Sequence, residues 1–412
     1  MNNLNFLVDV LKDSPVFKTL EKNVKPGRTV CASGLSTINK SNIIYALCRL
    51  KGVTAFCLAS DEKEAQTLCN DLSCMGLRAY VYPVRDFNFL DFQSRSHEYE
   101  HARLKVLLKL LNHECDVAIA CVDAAAQLTV PRNVLEQSVI EFEEGRELSL
   151  EKATKALTLL GYERFDAVEG SGQFSLRGGI LDFFMPDSDY PVRCEFWGDE
   201  ITDLSYFDIE TQRRFKKADK ITLSPSTEIV IEDRAALADK IEHKAKLLRS
   251  KNSAKAKEKL FSEAELIRSG AMIANADKFI NQIYDKPESL FDYLDRNTLV
   301  FASEFTAIQE RGKSMDFISN ETLMQGFEDG TLCRGFDRFA LTFNECTEFL
   351  QSHGTIVLEN FVHGSMPIKL SEIISFSTKQ LSAWGGSYKQ LKEDVDGLFT
   401  PESKGVIFAT GT

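Results

Sequence analysis

The sequence predicts an α/β protein in which a helix-covered parallel sheet carries a small inserted α+β module of antiparallel strands and is followed by the start of a further α/β domain. Three observations lead to this fold class. Short apolar runs alternate with amphipathic segments over residues 1–125, which is typical of helices covering a parallel sheet. Over residues 126–215, alternating apolar residues are broken by Gly, Pro and Asp, as in antiparallel hairpins. From residue 216 onward, helical and buried-strand patterns return.

The first part of the α/β domain, residues 1–125, is predicted to begin with an amphipathic helix that carries Leu4, Leu7, Val8 and Leu11 on one face. Apolar runs at 28–34, 53–60, 78–84 and 115–125 are predicted strands. The intervening segments 39–51, 61–76 and 96–112 have the apolar spacing of helices. The start of the second of these helices fits an N-cap followed by an acidic first turn.

The inserted module, residues 126–215, is predicted to contain a strand within 138–148 and a helix over 149–162 that is closed by Gly161. Hairpins follow over 165–208. One helix on a small antiparallel sheet makes a compact α+β unit.

The second part of the α/β domain, residues 216–368, is predicted to contain several helices and a buried strand at 298–303. A third domain would begin within 369–412, where an amphipathic helix precedes an apolar run at 404–412. Because a parallel strand needs a crossover and a neighbour, we expect this chain to be the front of a longer polypeptide.

Composition narrows the possible functions. The net charge of −12 disfavours non-specific nucleic-acid binding, which depends on phosphate contacts. The sequence contains neither an apolar run near the ~18 residues of a membrane span nor a secretory signal, and its scattered cysteines are typical of buried thiols in a reducing cytoplasm. The histidines and cysteines lack the spacing of a metal site, so we expect a cytoplasmic protein without a metal or a membrane.

One basic stretch, residues 240–259, holds eight Lys and Arg against two Glu. It could contact DNA or an acidic partner. The alternative is the solvated face of a surface helix.

Residues 34–41 resemble a phosphate-binding P-loop, G-x-x-x-x-G-K-[ST]. Gly34, Lys40 and Ser41 match the motif, whereas Asn39 stands where the second glycine belongs. In such a loop, backbone N–H groups surround the phosphates, the lysine contacts the β and γ oxygens, and the hydroxyl reaches Mg²⁺. Asn tolerates left-handed backbone better than most residues, so the substitution disfavours nucleotide binding without excluding it.

An ATPase of the helicase type also needs a strand that ends in Asp-Glu to hold Mg²⁺. The best candidate here ends in Ser303 and Glu304, so the metal-binding carboxylate is absent. We therefore expect a degenerate nucleotide site, formed by Gly34, Asn39, Lys40, Ser41, Ser303 and Glu304, without hydrolysis by this chain.

The stretch 172–213 carries a long and specific pattern. Its members are Phe174, Arg177, Gly178, Asp182, Pro186, Arg193, Glu195, Phe196, Asp199, Glu200, Phe207, Asp208 and Thr211-Gln212-Arg213. In this pattern the chain resembles the UvrB-like module of the bacterial transcription-repair coupling factors, relatives of the excision-repair protein UvrB. Weaker similarity at 34–36, 82–87, 286–294 and 382–392 extends the resemblance over nearly the whole chain.

The resemblance implies a role. In that family the second domain binds UvrA, the damage-recognition ATPase, and so brings excision repair to a stalled RNA polymerase. The contact residues it implies are Arg164, Arg177, Phe184, Arg193 and Glu195. The family's ATP- and Mg²⁺-dependent DNA translocase motor and its RNA-polymerase-binding domain would lie beyond residue 412, and this segment would need no cofactor.

Two alternatives remain beside this interpretation. Arg193 and Glu195 could form an exposed ion pair across strands rather than a partner surface. The chain could also be an active UvrB-like ATPase that handles damaged DNA. Against this alternative, the interval between the strand near 80 and the helix near 100 is shorter and poorer in tyrosine than the damage-probing hairpin of UvrB.

Overall fold

The computed structural model describes residues 5–85, 97–249, 253–270, 276–330, 332–361, 366–378 and 385–398. Leu4 and the predicted strand at 404–412 lie outside these ranges. The elements of the first region are α1 (Asn5–Asp13), α2 (Pro15–Asn23), β1 (Val30–Ser33), α3 (Thr37–Lys51), β2 (Ala55–Ala59), α4 (Glu62–Cys74), β3 (Ala79–Val81), α5 (Glu98–Leu111), β4 (Val117–Cys121), α6 (Val122–Ala126) and α7 (Arg132–Gln137).

The second region contains β5 (Ile140–Glu143), α8 (Leu150–Leu159), β6 (Glu163–Arg164), β7 (Gln173–Arg177), β8 (Ile180–Phe183), β9 (Val192–Trp197), β10 (Glu200–Phe207), β11 (Arg214–Lys217) and β12 (Lys220–Leu223). The remaining elements are α9 (Arg234–Leu247), α10 (Ser253–Ser269), α11 (Ile280–Ile283), β13 (Leu299–Ser303), α12 (Phe305–Asp329), α13 (Phe343–His353), β14 (Thr355–Leu358), β15 (Glu372–Ser375) and α14 (Tyr388–Leu398), with short 3₁₀ turns at Ala276–Phe279 and Leu290–Tyr293.

The N-terminal segment forms two helices where the sequence predicted one. Pro15 occupies the first turn of α2, and the Ser14 side chain accepts a hydrogen bond from the N–H of Phe17. Proline is favoured at a helix start but breaks a helix interior. The predicted N-cap of α4 is confirmed, because the Asp61 side chain accepts from the N–H of Glu64.

Seven strands form the parallel sheet in the order β15-β1-β14-β13-β2-β4-β3. Every neighbouring pair in it is parallel. Two apolar clusters cover its faces: one includes residues of α5 and α13, and the other includes residues of α3 and α4. The strands come from both sides of the second region in the chain, so the predicted α/β class with a separate antiparallel sheet is confirmed.

The second region forms a six-stranded sheet in the order β11-β10-β9-β8-β7-β6 and a two-stranded pair, β12-β5. All its neighbouring strands are antiparallel except β6 and β7. α8 packs on one face of the six-stranded sheet, where Leu157 lies in one cluster with Phe174, Phe183 and Cys194. We refer to this unit, residues 140–223, as the antiparallel module.

The structure places three segments differently from the boundaries that the sequence suggested. Leu128 and Leu135 pack in the core of the parallel sheet, although they fall within 126–215. Strands β11 and β12 extend the antiparallel module beyond residue 215. Strand β15 pairs with β1 in the parallel sheet, although it falls within 369–412. These placements depend on long-range pairing that local patterns do not contain.

A buried ion network lies where the chain returns from the antiparallel module to the parallel sheet. Arg103 of α5 donates from Nε to Glu228 Oε1 at 2.6 Å, and both side chains are fully buried. Thr129 Oγ1 donates to the other oxygen of Glu228 at 2.8 Å. Because buried charges are tolerated only when they are paired, this network ties α5 to the segment that follows the module.

Candidate functional sites

The turn between β1 and α3 differs from a P-loop. Helix α3 already begins at Thr37, so Asn39, Lys40 and Ser41 are helical residues. The Asn39 amide donates to Ser36 Oγ at 2.8 Å, and Asn39 is not among the residues with positive φ. Asn39 therefore does not occupy the strained loop position that the motif assigned to it.

Two backbone N–H groups of this turn donate hydrogen bonds within the protein. Gly34 N donates to Asn360 O at 3.2 Å, and Leu35 N donates to Glu359 O at 3.0 Å. Gly34 has a φ of +79°, and a Cβ there would lie 2.1 Å from the carbonyl oxygen of Phe376. The glycine thus permits close packing against the segment after β15.

Lys40 lies at the carboxyl ends of the parallel strands in a group of side chains that we call the strand-end cluster: Lys40, Glu64, Ser303, Glu304 and Glu359. Its Nζ contacts Glu304 Oε1 at 2.6 Å, Ser303 Oγ at 2.9 Å and Glu64 Oε1 at 3.4 Å. Only 4% of the lysine side chain is exposed. The sequence brought Lys40, Ser303 and Glu304 together as a candidate site; the structure places them in contact, as an internal ion cluster.

Ser41 faces away from this cluster. Its Oγ donates to Asp71 Oδ2 of α4 at 2.9 Å, and its side chain is fully buried. Burial raises the pKa of Asp71, and the bond from Ser41 partly offsets that effect. The hydroxyl that would reach Mg²⁺ in a P-loop joins α3 to α4 instead.

Carboxylates dominate the strand-end cluster. Glu359 Oε1 accepts from Phe305 N at 2.8 Å, whereas its Oε2 has no hydrogen-bond partner among the described residues. Burial, and secondarily the neighbouring Glu304 carboxylate, raise the pKa of Glu359 to about 7. Three carboxyl groups around one ammonium disfavour a further polyanion by like-charge repulsion.

The second candidate site is the face of the six-stranded sheet opposite α8, which we call the module face. At its centre the buried carboxylate of Asp182 on β8 bridges two arginines. Arg193 of β9 donates to it from Nε at 2.7 Å and from Nη2 at 2.8 Å. Arg177 of β7 donates from Nη2 at 2.7 Å. The two arginines therefore lie on either side of β8, and not on adjacent strands as the sequence suggested.

The two arginines differ in how much of the side chain is exposed to solvent. Arg193 is only 13% exposed, its guanidinium lies 4.3 Å from the ring centroid of Phe207, and it also donates to Gln212. Arg177 is 49% exposed. Arg177 is thus accessible from solvent, whereas Arg193 is largely enclosed.

Glu195 does not pair with Arg193. It forms an ion pair with Arg214 of β11, which also contacts Asp203 Oδ2 at 3.1 Å. The alternative of an Arg193–Glu195 ion pair is therefore wrong. Phe196 and Cys194 point into the core, on the face opposite Arg193 and Glu195, because side chains alternate along a strand.

The two remaining predicted contact residues lie at different places. Arg164 of β6 is in register with Phe174, whose side chain is in the core. Because residues in register point to the same side of a sheet, Arg164 lies at the sheet edge on the α8 side, opposite the module face.

Phe184 is half-buried and exchanges backbone hydrogen bonds with Gly172 and Gln173. Only Phe184 shares the face of Arg177.

Sequence reasoning missed three residues of the module face as participants: Asp182 as the bridge, Arg214 as the partner of Glu195, and Trp197, which is 82% exposed. The alternation of β9 places Trp197 on the face of Arg193 and Glu195, and this signal was present in the sequence. The pairing partners of Asp182 and Glu195 depend on strand register, which local patterns do not give.

The basic stretch 240–259 falls on two helices, α9 and α10, that pack together around Ile241 and Leu260. Several of its charges are engaged. Lys240 contacts Asp285, and Lys246 pairs with Glu242. These contacts favour the solvated surface helix over a DNA-binding patch.

In the described ranges no helix is long and apolar enough to cross a membrane. Nor do those ranges hold a group of three or more His, Cys, Asp or Glu that could bind a metal ion. All ten cysteines are free thiols, and nine of them are buried.

Comparison with known proteins gives two kinds of match. Residues 140–229 match the family described as "UvrB interaction domain", a range that contains the antiparallel module. The chain is 26% identical over 399 residues to the "Transcription-repair-coupling factor" of Bacillus subtilis (strain 168), covering 94% of this chain and 34% of that protein. Two proteins of the same name also match. The one from Staphylococcus epidermidis (strain ATCC 35984) is 25% identical, and the match covers 76% of this chain and 27% of that protein. The one from Staphylococcus aureus (strain USA300) is 21% identical, and the match covers 95% of this chain and 34% of that protein.

The chain thus spans about a third of the length of the curated relatives it matches. The resemblance to transcription-repair coupling factors that the sequence predicted is confirmed by these matches.

Proposed function

We propose that this chain is the UvrB-like adaptor segment of a transcription-repair coupling factor and that its antiparallel module binds UvrA. The observation that carries the proposal is the half-exposed guanidinium of Arg177. It lies within the range that matches the UvrB interaction domain. The buried Asp182 holds it in place, so its orientation is set before a partner arrives and less side-chain entropy is lost on binding.

Titration of the chain with purified UvrA tests this proposal. Arg177→Glu replaces a partner-facing cation by an anion and should weaken binding by at least about tenfold, because truncation or reversal at a hot-spot arginine costs more than ~1.4 kcal/mol. Arg146→Glu is the matched control, because Arg146 is also 49% exposed and ion-paired, with Glu141, but lies beside the two-stranded pair. Equal effects of the two substitutions would argue against the module face.

We also propose that this segment hydrolyses no ATP. Supporting this, the N–H groups of Gly34 and Leu35 donate within the protein, and Lys40 is enclosed by carboxylates. ATP turnover measured with DNA and UvrA present should equal the UvrA background. Turnover above that background that disappears in Lys40→Ala would favour the alternative, an active UvrB-like ATPase.

The activity of the whole protein follows as a further proposal. A motor outside this segment would use ATP and Mg²⁺ to translocate on DNA, and other parts of the chain would contact RNA polymerase in the cytoplasm. This segment would then recruit UvrA to the stalled polymerase without a cofactor of its own.

A further inference from the structure

Trp197 is the most exposed large apolar side chain in the described part of the protein, at 82%. It ends strand β9 at the hairpin that leads into β10, where Gly198 has a φ of +63° and Trp197 lies opposite Glu200. A two-residue hairpin with a positive φ at its first loop position fits a type II′ turn. The backbone that presents the indole is therefore well defined.

The surroundings of Trp197 belong to the module face. Glu195, two residues earlier, lies opposite Ile180 of β8, which in turn lies opposite Arg177 of β7. The turn that joins β7 to β8 approaches β9 closely, since Phe196 N donates to Gly179 O at 2.8 Å. A Cβ at Gly179 would lie 2.7 Å from Phe196 O. The exposed indole and the half-exposed guanidinium therefore project from the same end of one sheet.

Strand spacing gives the distance between the two side chains. Trp197 is two strands and two residues away from Arg177, which places their Cα atoms about 12 Å apart. Both side chains are long enough to meet a single partner surface across this span. Aromatic and arginine residues at the centre of an interface are the types that carry most binding energy, and tryptophan loses little conformational entropy when it is ordered.

The half-buried Ile180 and the pair of Glu195 with Arg214 lie beside this indole. The Glu195–Arg214 pair carries no net charge and borders the apolar indole. Such a pair fits the rim of a protein interface, where charged residues contribute little binding energy but keep water away from the centre. Of the two arginines that share Asp182, Arg177 keeps half of its side chain exposed, whereas Arg193 is enclosed by Asp182 and Gln212. The exposed Glu200 lies opposite Trp197 at the same end of the face.

We propose that Trp197 is the apolar anchor of the partner contact: it would insert into an apolar pocket of UvrA while Arg177 meets an acidic group at the edge of that pocket. This inference rests on the proposed UvrA binding and adds a residue and a pocket chemistry to it. It requires Trp197 to be accessible in the free chain and enclosed in the complex.

Substitution tests the anchor. Trp197→Ala should weaken UvrA binding by at least about 30-fold, the loss typical of a hot-spot aromatic, and Trp197→Phe should restore most of it. Phe317→Ala is the matched control, because Phe317 is a large apolar side chain that is 66% exposed on α12, outside the module, and its removal should leave UvrA binding unchanged. Circular dichroism would show that each variant is folded.

A spectroscopic measurement tests the enclosure directly. The chain has two tryptophans, so Trp384→Phe with 5-hydroxytryptophan at position 197 gives a probe that can be excited separately from the tryptophans of UvrA. Acrylamide should quench this probe strongly in the free chain and weakly after UvrA is added.

The outcomes separate this inference from the proposal beneath it. Binding that is lost in Arg177→Glu but unchanged in Trp197→Ala, with quenching unaffected by UvrA, would overturn the anchor and leave the docking proposal standing. Absence of UvrA binding by the unmodified chain would overturn both.

Discussion

The strand-end cluster and the module face were both suggested by charged motif residues, yet they differ in how completely those charges are satisfied. Lys40 is 4% exposed and enclosed by Glu64, Ser303 and Glu304. Arg177 uses Asp182 as an anchor and keeps 49% of its side chain exposed. A motif lysine or arginine therefore indicates a ligand only where its charge still faces outward after the fold has formed.

Asp182→Ala should destabilise the protein more than any other substitution considered below. The substitution would remove the carboxylate that pairs with the largely enclosed guanidinium of Arg193. Loss of one partner of a buried ion pair costs about 3–5 kcal/mol. Urea denaturation followed by circular dichroism should show a loss of this size. Asp203→Ala is the control, since Asp203 pairs with the more exposed Arg214 and should cost less than ~1 kcal/mol. Similar small losses in both variants would mean that Asp182 does not organise the module face.

Lys40→Met tests the other region. Removing the ammonium leaves Glu64, Glu304 and Glu359 without their shared cation, so the free energy of unfolding at pH 8 should fall by about 3 kcal/mol. The loss should be smaller at pH 5, where Glu359 is protonated, and a nucleotide titration should be the same for both proteins. Lys63→Met, on the exposed side of α4, is the control. Unchanged stability together with a clear loss of ATP affinity would contradict the internal role of Lys40.

Glu359→Gln gives an effect of opposite sign. The folded-state pKa of Glu359 is raised from its ordinary 4.5 to about 7, so the folded protein binds the proton more tightly than the unfolded chain does. Its ionisation therefore destabilises the fold as the pH rises from about 4.5 to about 7. Glu359→Gln should raise the free energy of unfolding at pH 8 by roughly 1–3 kcal/mol, since one pKa unit corresponds to ~1.4 kcal/mol. Thermal melts at pH 5 and pH 8 would measure it, and a variant destabilised at pH 8 would exclude this assignment.

Glu195→Gln should have the smallest effect. Its ion pair with Arg214 is partly solvated on both sides, and such pairs contribute about 0–1 kcal/mol. Urea denaturation should detect a change below ~1 kcal/mol that shrinks further in high salt. A loss as large as that of Asp182→Ala would mean that the rim of the module face is as tightly coupled as its centre.

The sequence predicted the elements and their class because periodicity is a local signal. Alternation along β9 separates Cys194 and Phe196, in the core, from Arg193 and Glu195 on the opposite face. The β1–α3 turn could not be predicted in this way. Two of its N–H groups bond to Glu359 and Asn360, and Gly34 packs against Phe376, more than 300 residues away in the chain.

The site residues show the same division. The motif identified Arg177 and Arg193 together, but only the register of β7, β8 and β9 shows that Asp182 bridges them and leaves Arg177 accessible. The resemblance implied Arg164 as a contact residue as well, yet its parallel pairing with β7 places it on the face opposite Arg177. Strand register depends on distant pairing, which a short pattern does not determine.

Hydrogen exchange measured by mass spectrometry on the whole chain, with and without UvrA, tests the central claim most directly. We predict slower exchange in the two turns of the module face, residues 177–180 and 197–200, and unchanged exchange over residues 34–47 and 299–308 of the strand-end cluster. Slower exchange at the strand-end cluster, with the module face unaffected, would contradict the claim that the module face is the docking surface.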